Sequence, residues 1–170
     1  MDTLGVDRWM KERQVNTRSA ASRRGDPAAI IRRAGRSDLH DVAQLWARAG
    51  LPAPVRGFRN ELLRLRARDP ELLLIALREG RVVGAIAGSY DGRTAVVSRL
   101  AVERDVRRQG VATALVEQLC QQLADLGATV DELLVIDTTT DADAFWASIG
   151  WAPSRSIRAF VRSHDRRVAL

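Results

Sequence analysis

Residues 102 to 113 have the types and spacing of a phosphate-binding loop. They read Val-Glu-Arg-Asp-Val-Arg-Arg-Gln-Gly-Val-Ala-Thr and lie between a β-branched run and a leucine repeat at helical spacing. The first N–H groups of a helix have no partner within the helix, and the helix dipole adds positive charge there, so a diphosphate suits them. Gly110 lets the backbone approach a ligand closely, and Arg107 and Arg108 add charge. The segment from Arg107 to Ala112 therefore predicts a diphosphate site, and the alternative is a solvated, arginine-rich turn that caps the helix.

The elements that must position this loop follow from the periodicity of the apolar residues. A polar extension at 1–27 precedes a single domain at 28–170. Ser37 and Asp38 offer a helix cap, Asp91-Gly92 predicts a hairpin, and Gly50 and Gly127 end helices. The predicted helices are Leu39–Gly50, Gly57–Arg68, Gly110–Leu126 and a short one from Asp141 or Asp143 to Ile149. The predicted strands are Ala28–Arg33, Leu72–Arg78, Val82–Tyr90, Thr94–Val102, Leu133–Ile136 and Ile157–Val161.

In the order of predicted elements along the chain, hairpins come first and helical crossovers come later. This order predicts an α/β fold class, with a mixed sheet of the α+β type flanked by helices. The long helix should bury one stripe of apolar residues against that sheet. The residues of that stripe are Val111, Leu115, Leu119, Leu123 and Leu126.

The segment from Arg99 to Leu119 resembles the central motif of the GCN5-related N-acetyltransferase (GNAT) superfamily, in its small single-domain bacterial type. That motif is a strand, then R/Q-x-x-G-x-G/A, then a long amphipathic helix, and Arg107, Gly110 and Ala112 fill its defining positions. Ala144-Phe-Trp-Ala-Ser-Ile-Gly-Trp151 resembles a downstream segment of the family in which an aromatic pair precedes a glycine.

The resemblance implies a GNAT-like acyl-CoA N-acyltransferase fold, whose mixed sheet has two splayed parallel strands, Thr94–Val102 and Leu133–Ile136. It implies an acyl-CoA-dependent enzyme that moves an acetyl group from acetyl-CoA, without a metal, to an amine acceptor by direct attack. A free N–H near Arg99 and Leu100 would polarise the thioester carbonyl. The implied cofactor-binding residues are Leu100, Ala101, Val102, Arg107, Arg108, Gln109, Gly110, Val111, Ala112, Thr113 and Trp146.

Proton transfer is less well defined by the sequence. Glu103 and Asp137, near the ends of the splayed strands, are the candidate general bases, with Asp91 as a third; each is alternatively a solvated loop acid. Trp146 stands where many members of the family have a tyrosine that protonates the departing thiolate. The rival function is therefore a non-catalytic acyl-CoA-binding regulatory module.

The acceptor site is expected on the first two helices. Arg59 and Arg66 are seven residues apart on one face of the second helix, which suits an acceptor with a carboxylate or phosphate. The alternative is a solvated helix face in an arginine-rich protein.

Composition limits the partners. The net charge is +6, but Lys11 is the only lysine and the arginines are spread along the chain, so we do not expect nucleic acid as the main partner. No apolar run reaches the roughly 18 residues of a membrane span. The single Cys120 fits a reducing compartment, so we expect a cytoplasmic protein. A homodimer stays open.

Overall fold

The structure is a computed structural model, and it describes residues 29–54, 56–129, 131–133 and 140–154. The chain divides into two compact units, one ending at Leu134 and one beginning at Val135. The first unit has strands β1 (Ile30–Arg33), β2 (Leu73–Arg78), β3 (Arg81–Tyr90), β4 (Ala95–Val102) and β5 (Asp131–Leu133), with helices α1 (Leu39–Arg48), α2 (Gly57–Arg68) and α3 (Val111–Asp125). The second has helix α4 (Thr140–Ser148).

The five strands form one mixed sheet in the order β1-β2-β3-β4-β5. The first four are antiparallel neighbours, and β5 pairs with β4 in parallel from Ala95 opposite Asp131 to Val97 opposite Leu133. The mixed sheet predicted from the order of elements is therefore confirmed.

The predicted elements agree with the observed ones to within a few residues wherever the structure describes them. Two details are wrong. Asp38 directly precedes α1, but its carboxylate makes no capping bond to the helix, because it is engaged elsewhere. Leu126 is exposed rather than part of the buried stripe, because α3 ends at Asp125. The extension at 1–27, the predicted strand Ile157–Val161 and most of Leu133–Ile136 lie outside the described residues.

Helices cover the two faces of the sheet. On one face, α1 packs on β3 and β4 and α2 packs on α1, around a cluster whose largest member is Trp46, with no exposed surface. On the other face lies α3, with Leu115, Leu119 and Leu123 fully buried. A Cβ at Gly84 would lie 2.9 Å from Cδ1 of Leu115, and one at Gly88 would lie 2.8 Å from Cδ1 of Leu119. The two glycines thus set how closely α3 approaches β3.

Asp38 joins β1 to the start of α1. Its carboxylate accepts hydrogen bonds from both terminal nitrogens of Arg32, at 2.7 and 3.0 Å, and from the Gly35 N–H at 2.7 Å. The Arg32 guanidinium, and to a lesser degree the Gly35 N–H, hold the pKa of Asp38 below its usual range. The carboxylate therefore stabilises the folded state only while it is ionised.

The close approach of α3 is testable with Gly88→Ala. We expect this change to lower the free energy of unfolding by about 1–3 kcal/mol, because the new methyl overpacks against Leu119. In a Leu119→Ala background the same change should cost clearly less, because the clashing side chain is gone. Urea unfolding of the four proteins measures both costs, and equal costs in the two backgrounds would contradict the packing argument.

The Asp38 contacts predict a pH-dependent stability. Asp38→Asn should lower the free energy of unfolding by about 1–2 kcal/mol at neutral pH, because a charge-assisted pair is lost. Since folding lowers the pKa of Asp38, the stabilisation by its carboxylate is present above the pKa of the unfolded state, about 3.9. It is lost as the pH falls through the lower pKa of the folded state. The difference between the two proteins should thus shrink in acid. Glu117→Gln, at an exposed position on α3, is the control and should change little at any pH.

Candidate functional site

A β-bulge interrupts the pairing of β4 with β3 near the end of β4. Ala87 lies opposite Ser98 and Ala85 opposite Ala101, so that Arg99 and Leu100 together face one residue of β3. Arg99 has φ +58°, in the left-handed region that side chains other than glycine rarely adopt. A bulge leaves its extra residue out of the ladder and re-aims the backbone. The strand therefore presents main-chain groups here that are not committed to β3.

The side chain of Arg99 is held in place on the α2 side of the sheet. Its Nε and one terminal nitrogen donate to Oε1 of Glu61, at 3.0 and 2.9 Å, and its other terminal nitrogen donates to the Pro52 carbonyl at 2.8 Å. The guanidinium also lies 5.9 Å from the ring centre of Trp46 and 5.6 Å from that of Phe58. Helix α2 is thereby tied to the bulge through one arginine.

Two residues near the end of the loop after β4 have a left-handed backbone conformation. Arg108 has φ +63° and Gly110 has φ +81°, and Gly110 is the residue that precedes α3. No side chain caps this helix end, and a Cβ at Gly110 would meet no atom within 4 Å. Backbone N–H groups around left-handed residues form concave anion-binding sites, and the first N–H groups of α3 add to them. The loop therefore presents several main-chain donors to open space.

Contacts from the β2–β3 hairpin and from the loop itself brace this backbone. Arg81 donates to Asp105 at 2.6 Å, and Arg78 donates to the side-chain oxygen of Gln109 at 2.6 Å. The Arg81 guanidinium holds the pKa of Asp105 below its usual range. Nε of Arg107 donates to the Val102 carbonyl at 3.1 Å. Side-chain contacts, together with backbone hydrogen bonds from Glu103, Val106 and Arg107, thus fix the loop conformation, and none of them uses the main-chain donors at the start of α3.

The structure brings most of the predicted cofactor residues together on one continuous path. The path runs from the bulge to the end of β4, through the loop and into the first turn of α3. On it lie Leu100, Ala101, Val102, Arg107, Arg108, Gln109, Gly110, Val111, Ala112 and Thr113.

The two candidate bases and Trp146 are placed differently. Oε1 of Glu103 accepts hydrogen bonds from Arg48, at 2.6 and 3.2 Å, at the end of α1. Asp137 lies outside the described residues. Trp146 is half-buried in the second unit, edge to face with Phe145 and Trp151 at 5.0 and 5.3 Å between ring centres.

An open pocket of about 690 Å³ lies along α2. Neither Arg59 nor Arg66 is among the residues that line it, and Arg59 is exposed to solvent. The lining residues, which the sequence analysis did not single out as a site, are Pro54, Arg56, Gly57, Asn60, Glu61, Arg64, Leu65, Ala67 and Arg68. Spacing of three and seven residues places Glu61, Arg64 and Arg68 on one helix face, and that signal was present in the sequence.

The described ranges contain no group of three or more histidine, cysteine, aspartate or glutamate side chains that could hold a metal ion. None of the helices in these ranges has both the length and the apolar character that crossing a bilayer requires.

Comparison with known sequences places these features in a family context. Residues 39–151 match the acetyltransferase (GNAT) family. An acetyltransferase of Sodalis glossinidius is 36% identical over 98 residues, which are 58% of this chain and 69% of that protein. An acetyltransferase of Pectobacterium atrosepticum is 34% identical over 98 residues, covering 58% and 70% of the two chains.

Solved structures show the same fold. Ard1 from Thermoplasma volcanium superposes with a TM-score of 0.65 and 26% identity, over 75% of this chain and 85% of that one. AAC(6')-Iy, solved with the bisubstrate analogue CoA-S-monomethyl-acetylneamine, superposes with a TM-score of 0.68 over 81% and 99% of the two chains. Its identity to this chain is 13%, so this likeness concerns the fold alone.

The bracing of the loop can be tested without a ligand. Arg81→Gln removes the ion pair with Asp105, and we expect faster amide hydrogen exchange over residues 104–110 because the loop loses its contact with the hairpin. Arg93→Gln, in the exposed turn at the other end of β4, is the matched control and should leave exchange in this loop unchanged. Equal exchange in all three proteins would show that the ion pair does not hold the loop.

Proposed function

The chain belongs to the acetyltransferase (GNAT) family, and we infer that it transfers an acetyl group from acetyl-CoA to a primary amine of a small molecule or peptide. It is an acyl-CoA-dependent N-acetyltransferase. The observation that carries this inference is the path from the Arg99 bulge to the Gly110 helix end, which offers main-chain donors where a thioester and a diphosphate would both need them.

We propose that the bulge serves the reacting end of acetyl-CoA. The uncommitted main-chain groups around Arg99 and Leu100 would include an N–H directed at the thioester oxygen, where negative charge develops during attack. The pantetheine arm would pair with β4 in the manner of an added strand. The Val102 carbonyl already accepts a hydrogen bond from Arg107, but a carbonyl oxygen can accept a second one.

The separation of β4 from β5 that this binding mode needs is also a proposal. The described residues pair in parallel from Ala95 opposite Asp131 to Val97 opposite Leu133, and the proposal places the cleft beyond these pairs, beside the bulge of β4.

The diphosphate would lie at the Gly110 end of α3. The residues there fit the group, because a Cβ at Gly110 would meet open space and the adjoining N–H groups have no capping side chain. Arg107 and Arg108 place two further positive charges on the same loop. Trp146 remains a proposed cofactor contact.

The chemistry requires a neutral amine and a leaving thiolate. An amine with a pKa of about 10.4 is mostly protonated at neutral pH, so a base must take a proton before attack. Glu103 and Asp137 remain the candidates, because of their predicted positions near the ends of the splayed strands. A thiol with a pKa of about 8.5 leaves tolerably as its thiolate, so water can supply the proton that the indole of Trp146 cannot.

The rival function, acyl-CoA binding without transfer, rests on Trp146 alone, and the comparisons do not favour it. An amine panel with detection of free thiol distinguishes the two functions. A cytoplasmic location, a homodimer and the lack of membrane or nucleic-acid partners stay predictions.

Calorimetric titration with acetyl-CoA tests the site. We expect saturable binding to the unsubstituted chain and none to Gly110→Glu, because a carboxylate in the loop repels the diphosphate and fills its space. Gly92→Glu is the matched control. Gly92 also has a positive φ and open surroundings, but it lies in the hairpin at the other end of β4. It should bind acetyl-CoA like the unsubstituted chain.

Two results would contradict the proposal. An unsubstituted chain that binds no acetyl-CoA at millimolar concentration would exclude the function itself. Equal binding by Gly110→Glu and Gly92→Glu would exclude the loop as the diphosphate site.

A further inference from the structure

The Glu61 carboxylate is bound on one oxygen only. Oε1 receives both hydrogen bonds from Arg99, whereas Oε2 is buried and has no hydrogen-bond partner in the described part of the chain. The side chain as a whole is 23% exposed, and Glu61 lines the open pocket along α2. A buried polar atom without a partner is costly and usually has a functional reason or an unseen partner.

Arg99 connects this carboxylate to the proposed site of acetyl transfer. Its side chain reaches from the β4 bulge to Glu61, so that one arginine side chain separates the carboxylate from the main-chain groups around Leu100. Both of these hydrogen bonds end on Oε1, so Oε2 is the carboxylate oxygen without a partner. Because Oε2 is buried, an acceptor reaches it only after the atoms that cover it move, and a group bound there then lies near the strand that would carry the thioester.

The chemistry of Oε2 selects a cationic hydrogen-bond donor. An ionised carboxylate oxygen accepts hydrogen bonds and a proton, and an ammonium group offers three N–H donors and a positive charge. A primary amine acceptor enters an active site mostly in its ammonium form. Oε2 is thus suited both to bind the acceptor and to remove one of its protons.

We propose that Glu61 is a catalytic residue that binds the ammonium group of the acceptor through Oε2 and takes its proton, with Arg99 as the positioning residue. This proposal rests on the proposed function and names a base other than Glu103 or Asp137. The proton passes from nitrogen to Oε2, the nitrogen lone pair then forms the C–N bond at the thioester carbon, and the C–S bond breaks. After attack the nitrogen gives up a second proton, which neutralises the thiolate. The products are therefore the amide and the free thiol, and Glu61 returns the first proton to solvent.

The rest of the pocket indicates the class of amine. Arg56 and Arg64 line it together with Glu61, and within the described residues neither has a carboxylate partner. Arg68 also lines it but is paired with Asp69 at 2.6 Å. Arg64 is one helical turn from Glu61, so a carboxylate near it would lie a few ångströms from the ammonium group. The acceptor is therefore a primary amine that also carries an anionic group.

Glu61→Gln tests the role of the carboxylate. The amide oxygen can still accept hydrogen bonds from Arg99, but the negative charge and the basic oxygen are lost. With a panel of amino acids and their amides as acceptors, and free thiol as the readout, we expect kcat/KM for the amine to fall by about 100-fold or more, the range of general base catalysis. The affinity for acetyl-CoA, measured by calorimetry, should not change.

Two further variants separate chemistry from structure. Glu61→Asp keeps a carboxylate and should retain more activity than Glu61→Gln, and we expect thermal unfolding to give the two variants similar stability. Glu71→Gln is the matched control, because Glu71 is also paired with an arginine, Arg33, but lies away from the pocket. It should keep the activity of the unsubstituted protein.

The acceptor class is tested with Arg64→Gln. The unsubstituted protein should prefer an amino acid to its amide, and the variant should lose that preference while kcat for the amide stays the same. An equal preference for both acceptors in the unsubstituted protein would overturn the assignment of an anionic acceptor.

The outcomes also separate this proposal from the function on which it rests. If the unsubstituted protein transfers acetyl groups and Glu61→Gln does so equally well, the base is another residue and only the inference about Glu61 is overturned. If the unsubstituted protein binds acetyl-CoA but acetylates no amine of this panel or of a wider panel of small-molecule amines and peptides, the function as a transferase is overturned and the role of Glu61 with it.

Discussion

Arg99 holds a left-handed backbone conformation inside a strand, and the pairing of β3 with β4 changes register at that point. Such a conformation costs about 1–3 kcal/mol and persists only where the surroundings enforce it. Here Glu61 and the Pro52 carbonyl hold the guanidinium, and the rings of Trp46 and Phe58 flank it. Contacts on the α2 side of the sheet thus maintain the backbone geometry that the thioester would need.

The position of α3 sets the other end of the site. Gly84 and Gly88 have no side chains to separate the helix from β3, so that Leu115 and Leu119 pack directly on the strand. Because the helix begins at Val111, this packing fixes where its free N–H groups lie relative to the end of β4. The same face of the sheet therefore provides stability and a rigid support for a ligand.

Several of the arginines have a structural role that the net charge alone does not indicate. Arg32, Arg48, Arg81 and Arg99 each pair with a carboxylate in another element or loop, and the sequence separations reach 55 residues. Pairs of this kind are individually weak when exposed, but a bidentate guanidinium also fixes orientation. Three of these four arginines act on the bulge, the loop or the strand between them.

The sequence by itself predicted the helices and strands that the structure describes and singled out the loop proposed to bind phosphate, because periodicity, turn residues and the spacing of Arg107, Gly110 and Ala112 are local properties of the chain. It placed the acceptor site on the first two helices but assigned the acceptor role there to Arg59 and Arg66, neither of which lines the pocket along α2. Only the tertiary structure placed Glu61 beside Arg99, which lies 38 residues away, and Arg81 beside Asp105, which lies 24 residues away. Those contacts depend on the register of the sheet and on how the helices pack across it, and a pattern within one segment does not contain either.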